Sequence, residues 1–387
     1  MIFSPDGETI SHECQNSNIN DSHVKRIQKQ SVEYVVRSGI AGGIAGSAAK
    51  TLIAPLDRVK ILFQTSNPDF LKYRGKFSGL FRAFKKIWAE DGPRGLYQGH
   101  SVTLIRIFPY AAIKFVAYEQ IRALLIPSDL HENGVRRFLA GSISGLCSVF
   151  FTYPLDLVRV RMAFHTHHIE HPHHKSGLRH GVRLFSTVLN VYHEHPPQKI
   201  SDPKWLRFLR DKLPPTLLPL SNFYRGFGPT VLGMIPYAGV SFYAHDIFHD
   251  IFRSRLLSNY AVQSAPFTGT SMSASGRRVV RTSEKQSNSR DSRPPLKAYA
   301  QLTAGGLAGM FSQTAAYPFE VIRRRMQVGG IVNQGQFISF TSTVKTIFRE
   351  NGIKGYFIGL SIGYLKVIPM VACSFYAYER SKVYLGI

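Results

Sequence analysis

Carboxylates, cysteines and long apolar runs are all scarce in this chain, and each shortage closes off a class of protein. Only 24 Asp and Glu stand against 48 Lys and Arg, leaving a formal net charge of +24 over 387 residues. Such an excess points to a polyanionic partner, whether nucleic acid, an acidic lipid surface or a phosphorylated solute, without choosing among them. Cys14, Cys147 and Cys373 are too few and too scattered for a disulfide framework or a metal site, so they read as small packing residues. With a mean hydropathy of -0.08 the chain is no bundle sunk in lipid on every side. Helices around a water-filled cavity remain open to it, because they need one lipid-facing side only. Residues 1–30 hold neither an apolar signal region nor an Arg-rich amphipathic stretch, so no secretory signal or cleaved transit peptide is expected and membrane targeting is internal. No nucleophile, ligand cluster or phosphate-cradling glycine loop recurs at a spacing that chemistry requires; no enzyme, metal or cofactor is expected.

What the chain does have is a threefold repeat. Pro55, Pro154 and Pro318 are each followed two residues on by an acid (Asp57, Asp156, Glu320) and five residues on by a base (Lys60, Arg159, Arg323). Nine and thirteen residues before each proline lies a glycine: Gly42/Gly46, Gly141/Gly145 and Gly305/Gly309. A proline within an apolar segment kinks its helix, and glycines four apart let two helices approach closely in lipid. The pattern predicts a ring of bent, closely packed helices. Six segments, near 34–64, 101–124, 135–164, 226–252, 298–327 and 361–384, are long enough to cross a bilayer when tilted. The second, fourth and sixth share another pattern, a proline followed ten residues later by an acid: Pro109 to Glu119, Pro236 to Asp246 and Pro369 to Glu379. Between the members of each pair, Phe77–Asp91, Gly181–Glu194 and Phe337–Glu350 are amphipathic at helical spacing and suit a membrane surface.

The expected organisation is a polar tail over 1–32 and repeats over 33–126, 127–252 and 298–387. The second repeat is lengthened by a His/Pro-rich insertion at about 165–222, and a Ser/Arg-rich linker fills 253–297. Both inserts read as loosely ordered. His165, His167, His168, His171, His173, His174 and His180 crowd the first insert, but nothing there fixes ligand geometry and no metal is assigned. The fold class is an all-α membrane protein of six tilted transmembrane helices in three pseudo-symmetric repeats, with three short surface helices.

The runs PLDRVKILFQ (Pro55 to Gln64), PLDLVRVRMA (Pro154 to Ala163) and PFEVIRRRMQ (Pro318 to Gln327) resemble the signature of the mitochondrial carrier family. EDGPRGLYQG (Glu90 to Gly99), FYRG (Phe223 to Gly226) and ENGIKGYFIG (Glu350 to Gly359) resemble its second signature, and the likeness spans about residues 33–385 outside the two inserts. The resemblance implies a multi-pass transporter of the mitochondrial inner membrane, with the three short helices on the matrix face, alternating between two open states.

Acid and base three apart share a helix face, so around a ring each acid meets the next module's base: Asp57 with Arg159, Asp156 with Arg323, and Glu320 with Lys60. These pairs would shut the matrix side, each at about 0–1 kcal/mol in an aqueous mouth, weak enough to reopen. The family's bracing glutamine is matched at Gln64 and Gln327, whereas Ala163 stands in the second copy. Tyr118-Glu119-x-x-Arg122 and Tyr378-Glu379-x-x-Lys382 match its cytoplasmic gate; the second copy departs as His245-Asp246-x-x-His249. An ordinary histidine is mostly uncharged at neutral pH, so the pairing of Glu119 with His249 is weak and the cytoplasmic gate is expected to be the weaker of the two.

Thirteen residues before each cytoplasmic-gate acid lie Arg106, Gly233 and Lys366, with Met234 and Val367 alongside. In the family these are substrate contact points. Two cations with a Gly-Met pair suit a nucleotide: the glycine leaves room for a flat ring, methionine lies against its face, and Arg106 and Lys366 reach the phosphates. Tyr110, Lys114, Tyr237 and Ser241 stand near these points. Longer runs, such as IRIFPYAAIKFVAYEQIR and SIGYLKVIPMVACSFYAYER, most resemble the coenzyme A carriers of fungi. The implied function is import of coenzyme A, in exchange for an adenine nucleotide, by a monomer meeting cardiolipin-containing lipid. The competing substrates are ATP-Mg exchanged with phosphate and thiamine pyrophosphate. From other classes come a basic nucleic-acid-binding protein, prompted by Arg277, Arg278, Arg281, Arg290 and Arg293, and a soluble helical-repeat adaptor.

Overall fold

Apolar and small residues recurring around each repeat's prolines build long helices, and a computed structural model shows how they assemble. It describes residues 32–75, 77–126, 134–166, 180–194, 218–254, 257–261, 296–332 and 339–386. The long helices are α1 (Val32–Gln64), α3 (His100–Leu125), α4 (Gly134–Phe164), α6 (Phe227–Arg253), α7 (Ala298–Val332) and the pair α9 (Leu360–Leu365) and α10 (Val367–Leu385). Between them lie the short helices α2 (Phe77–Leu96), α5 (His180–His193) and α8 (Phe340–Asn351). Among the described residues there is no strand. Three stretches, His100–Leu125, Arg136–Phe164 and one within Phe340–Leu385, are apolar and long enough to cross a membrane by composition.

The long helices close into a ring in chain order, α1 meeting α3, α3 meeting α4, and so on around to α10, which packs back on α1. The most extensive contacts join different repeats: α6 with α7, α3 with α4, and α10 with α1. The three proline-bearing helices meet where Ile61 of α1, Val160, Ala163 and Phe164 of α4 and Val328 of α7 bury a common apolar plug. The short helices hang on the outside of that closed end. Leu80, Ala83 and Ile87 present one stripe of α2 to Val59, Leu62 and Phe63 of α1, and Ile347 of α8 does the same against Val321 and Ile322 of α7. Phe81 and Trp88, on the opposite stripe of α2, are exposed, which suits a helix lying on a membrane.

Several expectations need correction. A Cβ built on Gly42, Gly46, Gly141, Gly145, Gly305 or Gly309 meets nothing within 4 Å, so the paired glycines do not bring helices together in this conformation. The crowded glycine is instead Gly43, whose built Cβ lies 2.5 Å from the Phe108 ring of α3. Helix α7 runs to Val332, five residues past the expected end, and the last span breaks at Lys366. Within the insert, the amphipathic stretch expected over Gly181–Glu194 forms α5, and the end expected to be loose carries helical turns at Leu218–Ser221 and Asn222–Tyr224. The linker is pinned at its base, where the Lys297 amide donates to the Ala261 carbonyl at 2.7 Å and Ala261, Leu296 and Ala300 pack together. The polar tail, His167 to His174 and the linker arginines lie outside the described residues.

Candidate gate and binding cavity

Each proline motif carries a carboxylate two residues after its proline, and the structure brings all three into ion pairs at the closed end. Lys60 Nζ donates to Glu320 Oε1 at 2.9 Å, Arg159 Nη2 to Asp57 Oδ2 at 2.9 Å, and Arg323 to Asp156 Oδ2. Asp156 is the most heavily held, accepting also from Arg324 Nη1 at 3.3 Å, Gln327 Nε2 at 3.2 Å and Arg106 Nη1 at 2.8 Å. Lys366 Nζ reaches Asp57 Oδ1 at 2.8 Å. The cations also lie over rings, Lys60 over Tyr317 and Arg323 over Tyr153.

The glutamines act through tyrosines that precede the prolines. Gln64 Nε2 donates to the Tyr317 hydroxyl at 2.9 Å, which donates to the Ile358 carbonyl at 2.9 Å. Gln327 Nε2 donates to the Tyr153 hydroxyl at 3.2 Å, which donates to the Arg225 carbonyl at 2.7 Å. The third position has lost both partners, since Ala54 precedes the first proline and Ala163 ends the second motif. A cavity of about 10 Å³, room for about one water, lies between Ala54, Ala163, Gly99, Asp57 and Arg159. Ala163→Gln alone therefore finds no tyrosine. The pair Ala54→Tyr with Ala163→Gln should exceed it by about 2–4 °C in Tm, the worth of about one hydrogen bond, in detergent-solubilised protein.

At the far end the ring is open. Asp246 and Glu379 expose 78% and 65% of their side chains. Their contacts stay within their own helices: His245 Nδ1 lies 3.9 Å from Asp246, and Lys382 Nζ lies 3.0 Å from Glu379 and over the Tyr378 ring. Tyr378 also meets Ser38 of α1, with 3.3 Å between the hydroxyl oxygens. Among the described residues no ion pair joins Glu119 to His249; His249 stacks on His245 at 4.0 Å instead. Tyr118, Glu119 and Arg122 lie on the last turns of α3, with Glu119 exposed.

Arg106 and Lys366 stand between the two ends, Arg106 also covering the Tyr110 ring at 5.5 Å. Met234 and Val367 are half-buried beside them in sequence, Ser241 is half-buried, and Lys114 and Tyr237 are exposed. Gly233 does not leave space for a ring as expected: Phe319 Cβ of α7 lies 3.0 Å from a built Cβ, so this glycine admits a neighbouring helix. Lys50, which the repeat did not single out, lies one helical turn from Ala54. Its ammonium is 3.8 Å from Met370 Sδ and within electrostatic reach of Asp57, Lys366, Arg159 and Arg106.

A second set of ion pairs was legible only in part. Arg161 and Arg325, seven residues after their prolines, bind Glu194 and Glu350 at the ends of the surface helices, at 2.6 and 2.7 Å. In the first repeat Leu62 occupies that position, and Arg58 takes over the task with Asp91 at 2.8 Å. Glu194 also binds Arg225, whose guanidinium burial pushes down to about 10 despite the carboxylate beside it. The recurring acids at the surface-helix ends were a usable signal; the shift from Pro+7 to Pro+3 in repeat one was not. Among the described residues no group of three or more His, Cys, Asp or Glu is placed to hold a metal.

A threefold helical ring, latched at one end by charge pairs and lined between its two ends by Arg106 and Lys366, is the architecture of a solute carrier. The family model for mitochondrial carrier protein matches residues 31–129, 131–198 and 294–387, and the chain belongs to the mitochondrial carrier family. Mitochondrial carrier protein LEU5 of Saccharomyces cerevisiae is 50% identical over 374 residues, covering 96% of both chains. Solute carrier family 25 member 16 of Homo sapiens is 34% identical over 90% of this chain and 88% of its own. Mitochondrial carrier protein CoAc1 of Arabidopsis thaliana is 33% identical over 90% and 89%. The protein is thus a transporter of the mitochondrial inner membrane and not an enzyme, which displaces the nucleic-acid and adaptor readings.

Proposed function

We propose that this carrier imports coenzyme A into the matrix through six spans in three repeats, exchanging it for an adenine nucleotide. Charge is the observation that supports this reading most directly. Lys50, Lys60, Arg106, Arg159, Arg323, Arg324 and Lys366 surround only Asp57, Asp156 and Glu320, seven cations to three carboxylates, an excess of four. Coenzyme A, with a pyrophosphate and a phosphomonoester, carries about four negative charges. The name CoAc1 of a plant relative points the same way. In this reading the proline end is the matrix gate, closed here by three ion pairs, and the other end is the cytoplasmic gate, open here and weakened by His249. Arg106, Lys366, Met234 and Val367 contact the substrate, while Gly233 supplies helix approach. The protein acts as a monomer, with its basic matrix surface against cardiolipin.

The test is uptake of labelled coenzyme A, ATP-Mg and thiamine pyrophosphate by liposomes holding the purified protein. Coenzyme A should be taken up in preference to both, faster when adenosine 3',5'-bisphosphate is loaded inside. Uptake of either competitor with no uptake of coenzyme A overturns the assignment.

A further inference from the structure

The second copy of the mouth motif departs from the other two at both of its flanking positions, and to the same residue each time. Where repeats one and three carry Tyr118 with Arg122 and Tyr378 with Lys382, repeat two carries His245 with His249. Residues four apart share a helix face, and on α6 the two imidazoles stack with centroids 4.0 Å apart and planes 28° from parallel. Two nitrogens that each lie about 2.0–2.1 Å from one zinc ion are no more than about 4.2 Å apart, so the ring pair stands on the scale that a single ion spans. The same His-x-x-x-His spacing holds zinc in helical metal motifs. Asp246 lies 3.9 Å from His245 Nδ1, the side on which a carboxylate orients a metal-bound histidine and leaves Nε2 for the ion. His249 Nε2 is enclosed with no hydrogen-bond partner among the described residues, a state that calls for a water or an ion. Half of the His245 side chain is exposed, so this ring is free to turn aside and admit one. Asp246, Asp250 and Arg253 lie within electrostatic reach of His249, two carboxylates to one cation, a balance that favours a dication. Packing does not account for the pair, because a half-exposed ring buries little apolar surface.

We infer that His245 and His249 form a two-histidine site for a divalent transition metal, zinc being an ion that imidazole suits, and that Glu119 becomes its third ligand when the mouth closes. Glu119 is exposed on the last turns of α3, and threefold pairing sets it opposite position 249. The bound ion supplies the positive charge that this copy of the motif lacks at neutral pH. A metal held by two imidazoles and a carboxylate is a far firmer clasp than a solvent-exposed ion pair. Zinc at the mouth therefore acts as a brake, slowing the reopening that each transport cycle needs. The site escapes a search for recurring spacings because one repeat alone carries it.

The brake rests on the proposed gate and substrate, whereas the metal site does not, and two arms of one experiment separate them. In the first, Zn2+ is titrated calorimetrically into purified full-length protein stripped with EDTA, as wild type, His245→Ala, His249→Ala and the double variant. The histidines within residues 165–180 give all four the same background. Each single variant should bind one Zn2+ fewer than wild type, and the double variant no fewer than either single, since two ligands share one ion. His245→Tyr and His249→Arg, the residue types of the first repeat, give the same reading should an alanine variant fail to fold. In the second arm Zn2+ is added outside proteoliposomes during coenzyme A uptake. Wild-type uptake should fall about 5-fold or more and recover with EDTA, while each histidine variant should change less than about 2-fold against its own zinc-free rate. Glu119→Gln should keep the bound Zn2+ and lose the inhibition. An unchanged Zn2+ count in the single variants, or two ions lost in the double, overturns the metal site. Loss of the site in the variants with no effect of Zn2+ on wild-type uptake overturns the brake. Binding as expected with no coenzyme A uptake under any condition upholds the metal site and rejects coenzyme A as the substrate.

Discussion

Alanine in place of either Arg106 or Lys366 is expected to cut coenzyme A uptake by proteoliposomes about 100-fold while leaving the protein folded. A charge-assisted hydrogen bond to a phosphate contributes about 1.5–3 kcal/mol, and a phosphate left without its cation costs more in a cavity walled by apolar helices. At 1.4 kcal/mol per tenfold this amounts to about two orders of magnitude. The fold tolerates the change because neither residue is a gate acid's sole partner. Asp156 keeps Arg323, Arg324 and Gln327, and Asp57 keeps Arg159. Arg106→Lys should recover part of the activity, since it restores the charge without the planar fork that grips two oxygens at once. Uptake unchanged by either alanine removes both residues from the substrate site.

Much of this arrangement was readable because repetition converts weak signals into strong ones. A single Pro-x-Asp-x-x-Lys is an unremarkable run of residues, but three copies at one offset, all in apolar surroundings, can only be satisfied together around an axis. The partners of Asp57, Asp156 and Glu320 followed from that symmetry, and the structure brings each within contact of its neighbour's base. Reasoning by repeat failed where the repeats diverge. Arg58 substitutes for a base that repeat one lacks at Leu62, and only packing against Gly95 and Asp91 reveals it. The tyrosines that receive the glutamine amides were passed over because a tyrosine beside a proline is ordinary, and because Ala54 breaks the series. The paired glycines misled for another reason: spacing alone does not say which face of a helix meets a neighbour, and here each of them faces open space. Gly233 shows the limit of reading a missing side chain. A glycine suggests room for ligand, and here a neighbouring helix fills that room.

Glu194→Ala is expected to be the most destabilising of the charge deletions on the outer face, lowering Tm by about 6–10 °C in detergent. Its carboxylate grips Arg161 through two bonds, at 2.6 and 2.9 Å, and binds Arg225 as well, and both arginine side chains are only 2% exposed. Arg161 Nε in turn donates to the Gln327 carbonyl at 3.1 Å, so one acid ties α4, the end of α5 and the turn before α6 to α7 of the next repeat. Removing one member of a buried pair leaves the other charge uncompensated, a loss of about 3–5 kcal/mol, and here two guanidiniums are stranded. The site is closely packed, because a Cβ at Gly330 would meet Arg225 Nη1 and both Glu194 carboxylate oxygens. The corresponding acid in the third repeat supplies the control. Glu350 is 45% exposed and holds Arg325 at 2.7 Å, so water takes over much of its role. Glu350→Ala should therefore lower Tm by no more than about 2–3 °C, in keeping with a contribution near 1 kcal/mol. Equal losses for the two variants would show that the outer pairs act by position in the repeat and that burial is not what sets their strength.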